Sequence, residues 1–290
     1  AIKIARKWGY EKKNVKKNKA TILFANNNFW GRTISACSSS SDPSCYTNFG
    51  PYMDGIEMIP FNNINSLEEK LKKNKNIVAY MLEPIQGEAG VIIPDCNYLK
   101  KVKKLCKKYN ILMIADEVQT GLGRTGKLIA CDYEKVKPDI LCLGKALSGG
   151  TIPISAVLCN NNIMECITPG THGSTFGGNP LASVVALESV KVILEEDMIN
   201  NSYNMGNIFR NELKNLDFNF VKDIRGKGLL NAIEFNDKKI TDFICNDLME
   251  NGLLCKSTHD NIIRFSPPLT IPKNHIYKSL NIIKNTLKKI

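Results

Sequence analysis

The chain has 290 residues, 43% hydrophobic and 23% charged, a globular composition long enough for a large domain with a smaller one attached. Its apolar runs are too short to span a membrane, and its opening residues "AIKIARKWGYEKK" lack the apolar stretch and cleavage site of a signal peptide. The formal net charge of +11 raises nucleic acid or an anionic membrane as partners, but the placement of the lysines argues for neither.

Ile2, Ile4, Ala5 and Trp8 fall near helical spacing, so the chain opens within a helix. Apolar or β-branched runs predict strands at 20–25, 76–82, 111–116, 139–144 and 154–158. Between the second and third lies a helix at 95–109, with Asp95 as its cap. Leu99, Val102, Leu105, Cys106 and Tyr109 make its apolar face and lysines the opposite one. A lysine face of this kind is solvated surface, so no nucleic acid is expected. This βαβ unit implies a parallel sheet, and the unbroken apolar character of the strands implies helices on both faces. Further helices are expected at 179–196, 199–215, 240–251 and 273–289, with "IRGKGLLNAIEF" and "IIRFSPPL" between them. The fold class is α/β: a large domain over 1–197 with a mostly parallel sheet, and a small C-terminal α/β domain over 198–290.

Ten cysteines without a C-x-x-C, and only His172, His259 and His275, argue against both a metal site and a secreted disulfide framework. Cys37 and Cys45 stand out because they flank a polar, serine-rich loop. "GLGRTG" at 121–126 has the spacing of a dinucleotide fingerprint, but it does not open a helix directly after its strand. It also fails as a phosphate-binding P-loop, since Leu128 takes the place of the metal-binding hydroxyl.

In open parallel sheets, sites gather at the carboxyl ends of strands. Asp116 ends one predicted strand, and Lys145 follows another in "DILCLGKALSGG". Alone, one reads as a loop or capping residue and the other as a surface lysine. Together they offer an amine, with its pKa lowered among apolar neighbours, that can condense with an aldehyde, and a carboxylate for a protonated ring nitrogen. Pyridoxal 5′-phosphate (PLP) needs both.

"ADEVQTGLGRTGK", "DILCLGKALSGG" and "HGSTFGGNPLA" together resemble the class III, fold-type I aminotransferases, and the likeness runs over essentially the whole chain. "FWGRT", "LEPIQGEAGV" and "IRGKGLLNAIEF" are most similar to the branch of that family that uses ornithine and 2-oxoglutarate. Relatives acting on acetylornithine or 4-aminobutyrate tend to carry His where this chain has Trp30. The resemblance implies that Lys145 binds PLP covalently and then shuttles a proton, that Asp116 pairs with the ring nitrogen, that Gln119 bonds the phenolic oxygen and that Phe29 stacks on the ring. It further implies that Ser174 and Thr175 reach the cofactor phosphate of a neighbouring subunit in a homodimer with shared active sites. By the same resemblance Arg264 takes the α-carboxylate of 2-oxoglutarate and Arg32 its distal carboxylate. The resemblance also implies that Glu88 masks Arg264 while ornithine is bound.

Family members extend further upstream, through a phosphate-binding loop and a substrate tyrosine. A protein beginning at Ala1 is therefore expected to bind PLP poorly. Cys37 and Cys45 are candidates for a redox pair served by a thioredoxin-like partner. The cytoplasm is the expected compartment, with the mitochondrial matrix as its alternative.

Overall fold

Six apolar runs assemble into one sheet in the computed structural model, which describes residues 1–216, 218–259 and 261–290. They are β1 (Thr21–Ala25), β2 (Ile56–Ile59), β3 (Ile77–Leu82), β4 (Leu112–Asp116), β5 (Ile140–Leu143) and β6 (Ala156–Cys159), in the order β2-β1-β3-β4-β5-β6. All neighbours pair parallel except β5 with β6. Every residue of β1, β3 and β4 is buried, as strands covered on both faces must be.

Two local features differ from the sequence reading. Strand β2 was not expected; its "IEMI" sits at the sheet edge, where Glu57 faces out to Lys70 (2.7 Å) and Asn74 (2.7 Å) instead of reading as core. The lysine-faced helix is Tyr98–Lys108, and Asp95 is not its side-chain cap. Asn97 holds the N-cap position in a left-handed conformation, φ 64°, and the Asp95 carbonyl accepts from Tyr98 N–H at 3.0 Å. The apolar face is as read, with Leu99, Val102, Leu105 and Cys106 buried. From the other face Lys103 reaches Asp139 at 2.6 Å, and the same carboxylate accepts from Met113 N–H at 2.8 Å, tying the helix to the sheet.

A second sheet is wholly antiparallel: β7 (Val221–Lys227), β8 (Leu230–Phe235), β9 (Lys256–Thr258) and β10 (Ile262–Phe265), in the order β7-β8-β10-β9. "IRGKGLLNAIEF" is thus a hairpin turning at Gly228, whose φ is +52°, a conformation that favours glycine. Phe209, Leu213, Ile244, Leu248, Ile276 and Ile283 from the flanking helices bury the sheet's apolar side chains.

The chain divides into two compact units. One comprises 1–84, 94–119 and 131–189, and the other 85–93, 120–130 and 190–290. Segments 85–93 and 120–130, N-terminal to the sequence boundary at 197, belong to the second unit because Ile85, Val91 and Ala130 pack on Leu230, Ala232 and Ile262. Among the described residues, no helix is long and apolar enough to cross a membrane.

Helix Met198–Lys214 lies so close to the hairpin that a Cβ on Gly206 would stand 1.7 Å from the Gly228 carbonyl oxygen. Backbone cannot yield as a flexible side chain does. Gly206→Ala is therefore expected to cost about 3 kcal/mol in chemical denaturation. A midpoint equal to that of the parent chain would contradict this packing.

Candidate active site

Asp116 is the last residue of β4 and pairs in register with Cys142 of β5. Lys145 follows β5 after a single glycine. The sheet thus sets the acid and the amine at adjacent strand ends, close enough for the lysine charge to pull the Asp116 pKa down. Asp116 is 6% exposed, and its Oδ1 accepts from Val118 N–H at 3.0 Å. Burial, the largest influence, outweighs both and lifts its pKa from 3.8 to about 6, with Glu117 pushing the same way. A carboxylate held in this state is stabilised by a cation brought against it.

Lys145 itself is exposed rather than set among apolar side chains. After Gly144 the chain leaves the sheet for a turn of 3₁₀ helix over Lys145–Ser148, and Lys145 takes φ +43°. The strand end therefore leaves Lys145 exposed, while Asp116 remains beneath the surface. Gln119, three residues beyond Asp116, is half-buried.

Phe29 and Arg32 lie in the segment after β1. The Arg32 guanidinium stands over the Phe29 ring, 5.4 Å from its centroid. The buried Glu83 carboxylate, just past β3, accepts from Phe29 N–H at 3.1 Å and fixes this segment to the sheet. Arg32 Nη1 also lies 3.4 Å from Cys45 Sγ. Cys37 and Cys45 are buried free thiols on the consecutive short helices Ile34–Ser38 and Pro43–Tyr46. Ser174 and Thr175 are exposed in the loop leading to helix Pro180–Glu195.

In the second unit, Glu88 and Arg264 meet. Arg264 Nη1 donates to Glu88 Oε1 at 2.8 Å, and the two side chains are 24% and 11% exposed for Glu88 and Arg264 respectively. Glu88 rides on a tight turn closed by antiparallel pairing of Gln86 with Ile92. Arg225 anchors that turn through the Gly90 (2.8 Å) and Val91 (3.2 Å) carbonyls, and Thr258 Oγ1 donates to the Glu88 carbonyl. Lys256 Nζ takes the second carboxylate oxygen at 3.2 Å. Neither Arg225 nor Lys256 was singled out from sequence. Each is one basic residue in a strand of a lysine-rich chain, and only strand pairing, which sets Lys256 opposite Arg264, shows its place. No group of three or more His, Cys, Asp or Glu side chains gathers as metal ligands among the described residues.

An amine and a buried carboxylate at neighbouring ends of a mostly parallel sheet are the two groups that a PLP-dependent transferase needs. Residues 1–287 match the family model "Aminotransferase class-III", and the chain belongs to that family. It is 58% identical over 287 residues to mitochondrial ornithine aminotransferase of Drosophila melanogaster, an alignment covering 99% of this chain and 66% of the relative. The structure matches ornithine aminotransferase from Toxoplasma gondii with TM-score 0.97 and 45% identity, over 100% of this chain and 69% of that one; the Toxoplasma structure shows partial occupancy of PLP at its active site. Acetylornithine aminotransferase from Elizabethkingia anophelis matches with TM-score 0.87 and 47% identity, over 100% and 70% of the two chains. The chain spans about two-thirds of the length of the relatives it matches.

The residues present fit the family's cofactor. Asp116 offers the buried anion that a protonated ring nitrogen requires, Lys145 a primary amine one strand away, and Gln119 a half-buried amide just beyond the strand.

Proposed function

We propose that the protein is a PLP-dependent ornithine δ-aminotransferase, moving the terminal amino group of L-ornithine to 2-oxoglutarate to give glutamate-5-semialdehyde and glutamate. What PLP supplies when bound is an aldehyde carbon for an amino group and an electron-withdrawing ring. With PLP bound, Asp116 would hold its negative charge toward the ring nitrogen and Gln119 would donate to the phenolic oxygen. Phe29 would cover the ring face. Lys145 Nζ would hold the cofactor covalently, and its free amine would serve as the base and acid that moves the substrate proton.

The observation that carries the choice of substrate is the Glu88–Arg264 ion pair. A free guanidinium would seize the α-carboxylate of either substrate. Masked by Glu88, Arg264 leaves the α-carboxylate of ornithine unclaimed and the terminal amine is presented. When 2-oxoglutarate enters, its α-carboxylate displaces Glu88, and Arg32 takes the distal carboxylate. Lys256 offers the displaced Glu88 a second cation. Arg264→Ala is accordingly expected to raise KM for 2-oxoglutarate about 100-fold, measured in steady state at saturating ornithine; an unchanged KM would remove Arg264 from this role.

Assay of the purified full-length protein with L-ornithine and 2-oxoglutarate tests the whole reading through the appearance of glutamate-5-semialdehyde. The similarity to an acetylornithine aminotransferase favours that activity as the second reading. Trp30, stacked on Phe24 at 5.6 Å, stands where such relatives tend to carry His and supports ornithine. A higher kcat/KM for acetylornithine would reverse the choice.

A homodimer is supported by Phe176, Leu181, Val184 and Leu187, all 60% or more exposed on or beside helix Pro180–Glu195; association would bury them and bring Ser174 and Thr175 to a neighbour's phosphate. The contact between Arg32 and Cys45 supports Cys37 and Cys45 as a regulatory dithiol for a thioredoxin-like partner. The mitochondrial Drosophila relative supports the matrix over the cytoplasm as the compartment.

A further inference from the structure

Another pair of thiols lies in the second unit. Cys245 sits on helix Lys238–Glu250, and Cys255 immediately precedes β9. Their sulfurs are 3.7 Å apart, with Cys255 S–H donating to Cys245 Sγ. Both side chains are half-buried, so a small reagent reaches them, and Cys255 also lines a cavity together with Lys256, Arg264 and Phe209. The pair is held from both sides. Ile244 and Leu248, flanking Cys245, are buried in the core, while β9 is fixed by its pairing with β10. A turn at Gly252, φ +82°, returns the chain from helix to strand.

We propose that Cys245 and Cys255 form a thiol–disulfide exchange site, which takes a low-molecular-weight disulfide as oxidant and closes into an intramolecular disulfide. The sulfurs lie at contact distance, so side-chain rotation completes the approach to the roughly 2 Å of a covalent bond. The roles of the two thiols differ. Cys245 receives hydrogen bonds from Cys255 and from the Ser257 backbone, and the first of these chiefly lowers its pKa below that of an ordinary thiol. Cys255 keeps the shared proton, and that bond together with burial raises its pKa. Cys245 is therefore the attacking thiolate.

In the first step the Cys245 thiolate bonds to one sulfur of the oxidant, whose S–S bond breaks and releases a thiolate. In the second, Cys255 loses its proton and attacks Cys245 Sγ, expelling the other half of the oxidant. The chain gives up two electrons and two protons, and the oxidant becomes two thiols. The new bond ties β9 to the helix one residue before Lys256, the cation that contacts Glu88.

The sequence provides a direct readout. Residues 240–256, "ITDFICNDLMENGLLCK", contain no internal lysine or arginine, so trypsin releases both cysteines on one peptide. The purified full-length protein is treated with glutathione disulfide, blocked with iodoacetamide, digested and weighed. The expected peptide is unalkylated and two hydrogens lighter than its reduced form, and it becomes doubly alkylated after dithiothreitol. It should form about 10-fold faster in the native protein than in urea, because the fold holds the thiols together. Cys255→Ser should trap glutathione on Cys245, whereas Cys245→Ser should leave Cys255 open to alkylation. A peptide that stays doubly alkylated in the native protein, retains glutathione on Cys245 beside a free Cys255, or closes no faster than in urea overturns the proposal.

Discussion

Lys145→Ala is expected to lower the turnover of ornithine with 2-oxoglutarate by roughly 10⁴-fold or more, while the chain still folds. The size of the loss follows from the proposed function, in which one amine both anchors the cofactor and moves the proton. The fold survives for reasons visible in the structure. Lys145 is exposed, so its removal opens no cavity. Its φ of +43° strains alanine as it strains lysine, since both carry a Cβ. The denaturation midpoint should move by less than about 1 kcal/mol. A small primary amine added to the assay should restore part of the lost rate, which an unfolded variant would not show. Retained turnover in the alanine variant would end the assignment of Lys145 to the chemistry.

Asp116→Asn separates stability from activity. In the folded chain the Asp116 carboxyl titrates at about 6 instead of 3.8, so the native state binds the proton more tightly than the unfolded state. The stability associated with the protonated form is complete below pH 3.8 and is lost as pH rises through about 6. A shift of roughly two units corresponds to about 3 kcal/mol. Asparagine never ionises, and its Oδ1 can still accept from Val118 N–H. Above pH 6, in protein freed of PLP, the Asn variant should be the more stable by up to about 3 kcal/mol, and below pH 4 that advantage should vanish. Under the proposed function the order of fitness should reverse once cofactor is bound. An amide cannot hold the ring nitrogen protonated, and turnover should fall about 10³-fold. Thermal denaturation across pH 4–8 beside steady-state kinetics checks both halves. An Asn variant less stable than the parent at pH 8 would show that Asp116 does not bear a burial penalty there.

The amino-acid order by itself determined five of the six strands of the first sheet and the two residues at its strand ends. Runs such as Ile77–Leu82 and Leu112–Asp116 are buried at every position, and continuous apolar character is a local property that needs no knowledge of the fold. The order β4 then β5, with parallel pairing, brings Asp116 and Lys145 to one edge, so a 29-residue separation in sequence is bridged by topology alone. Strand β2 escaped notice because an edge strand with a polar outward residue has no such signature.

Tertiary structure decided the rest. Whether Lys145 lies among apolar side chains or faces out depends on the turn after Gly144, which its neighbours in sequence do not announce. Segments 85–93 and 120–130 join the second unit through contacts with Leu230, Ala232 and Ile262. Glu88 and Arg264 are 176 residues apart, and resemblance to a family could pair them on paper. Only strand register could add Lys256 to the same carboxylate, and only the packing of helix Lys238–Glu250 beside β9 brings Cys245 within 3.7 Å of Cys255. Side-chain order records which face of an element seeks cover; which distant atoms then touch is set by register and close approach, and these emerge only when the chain has packed.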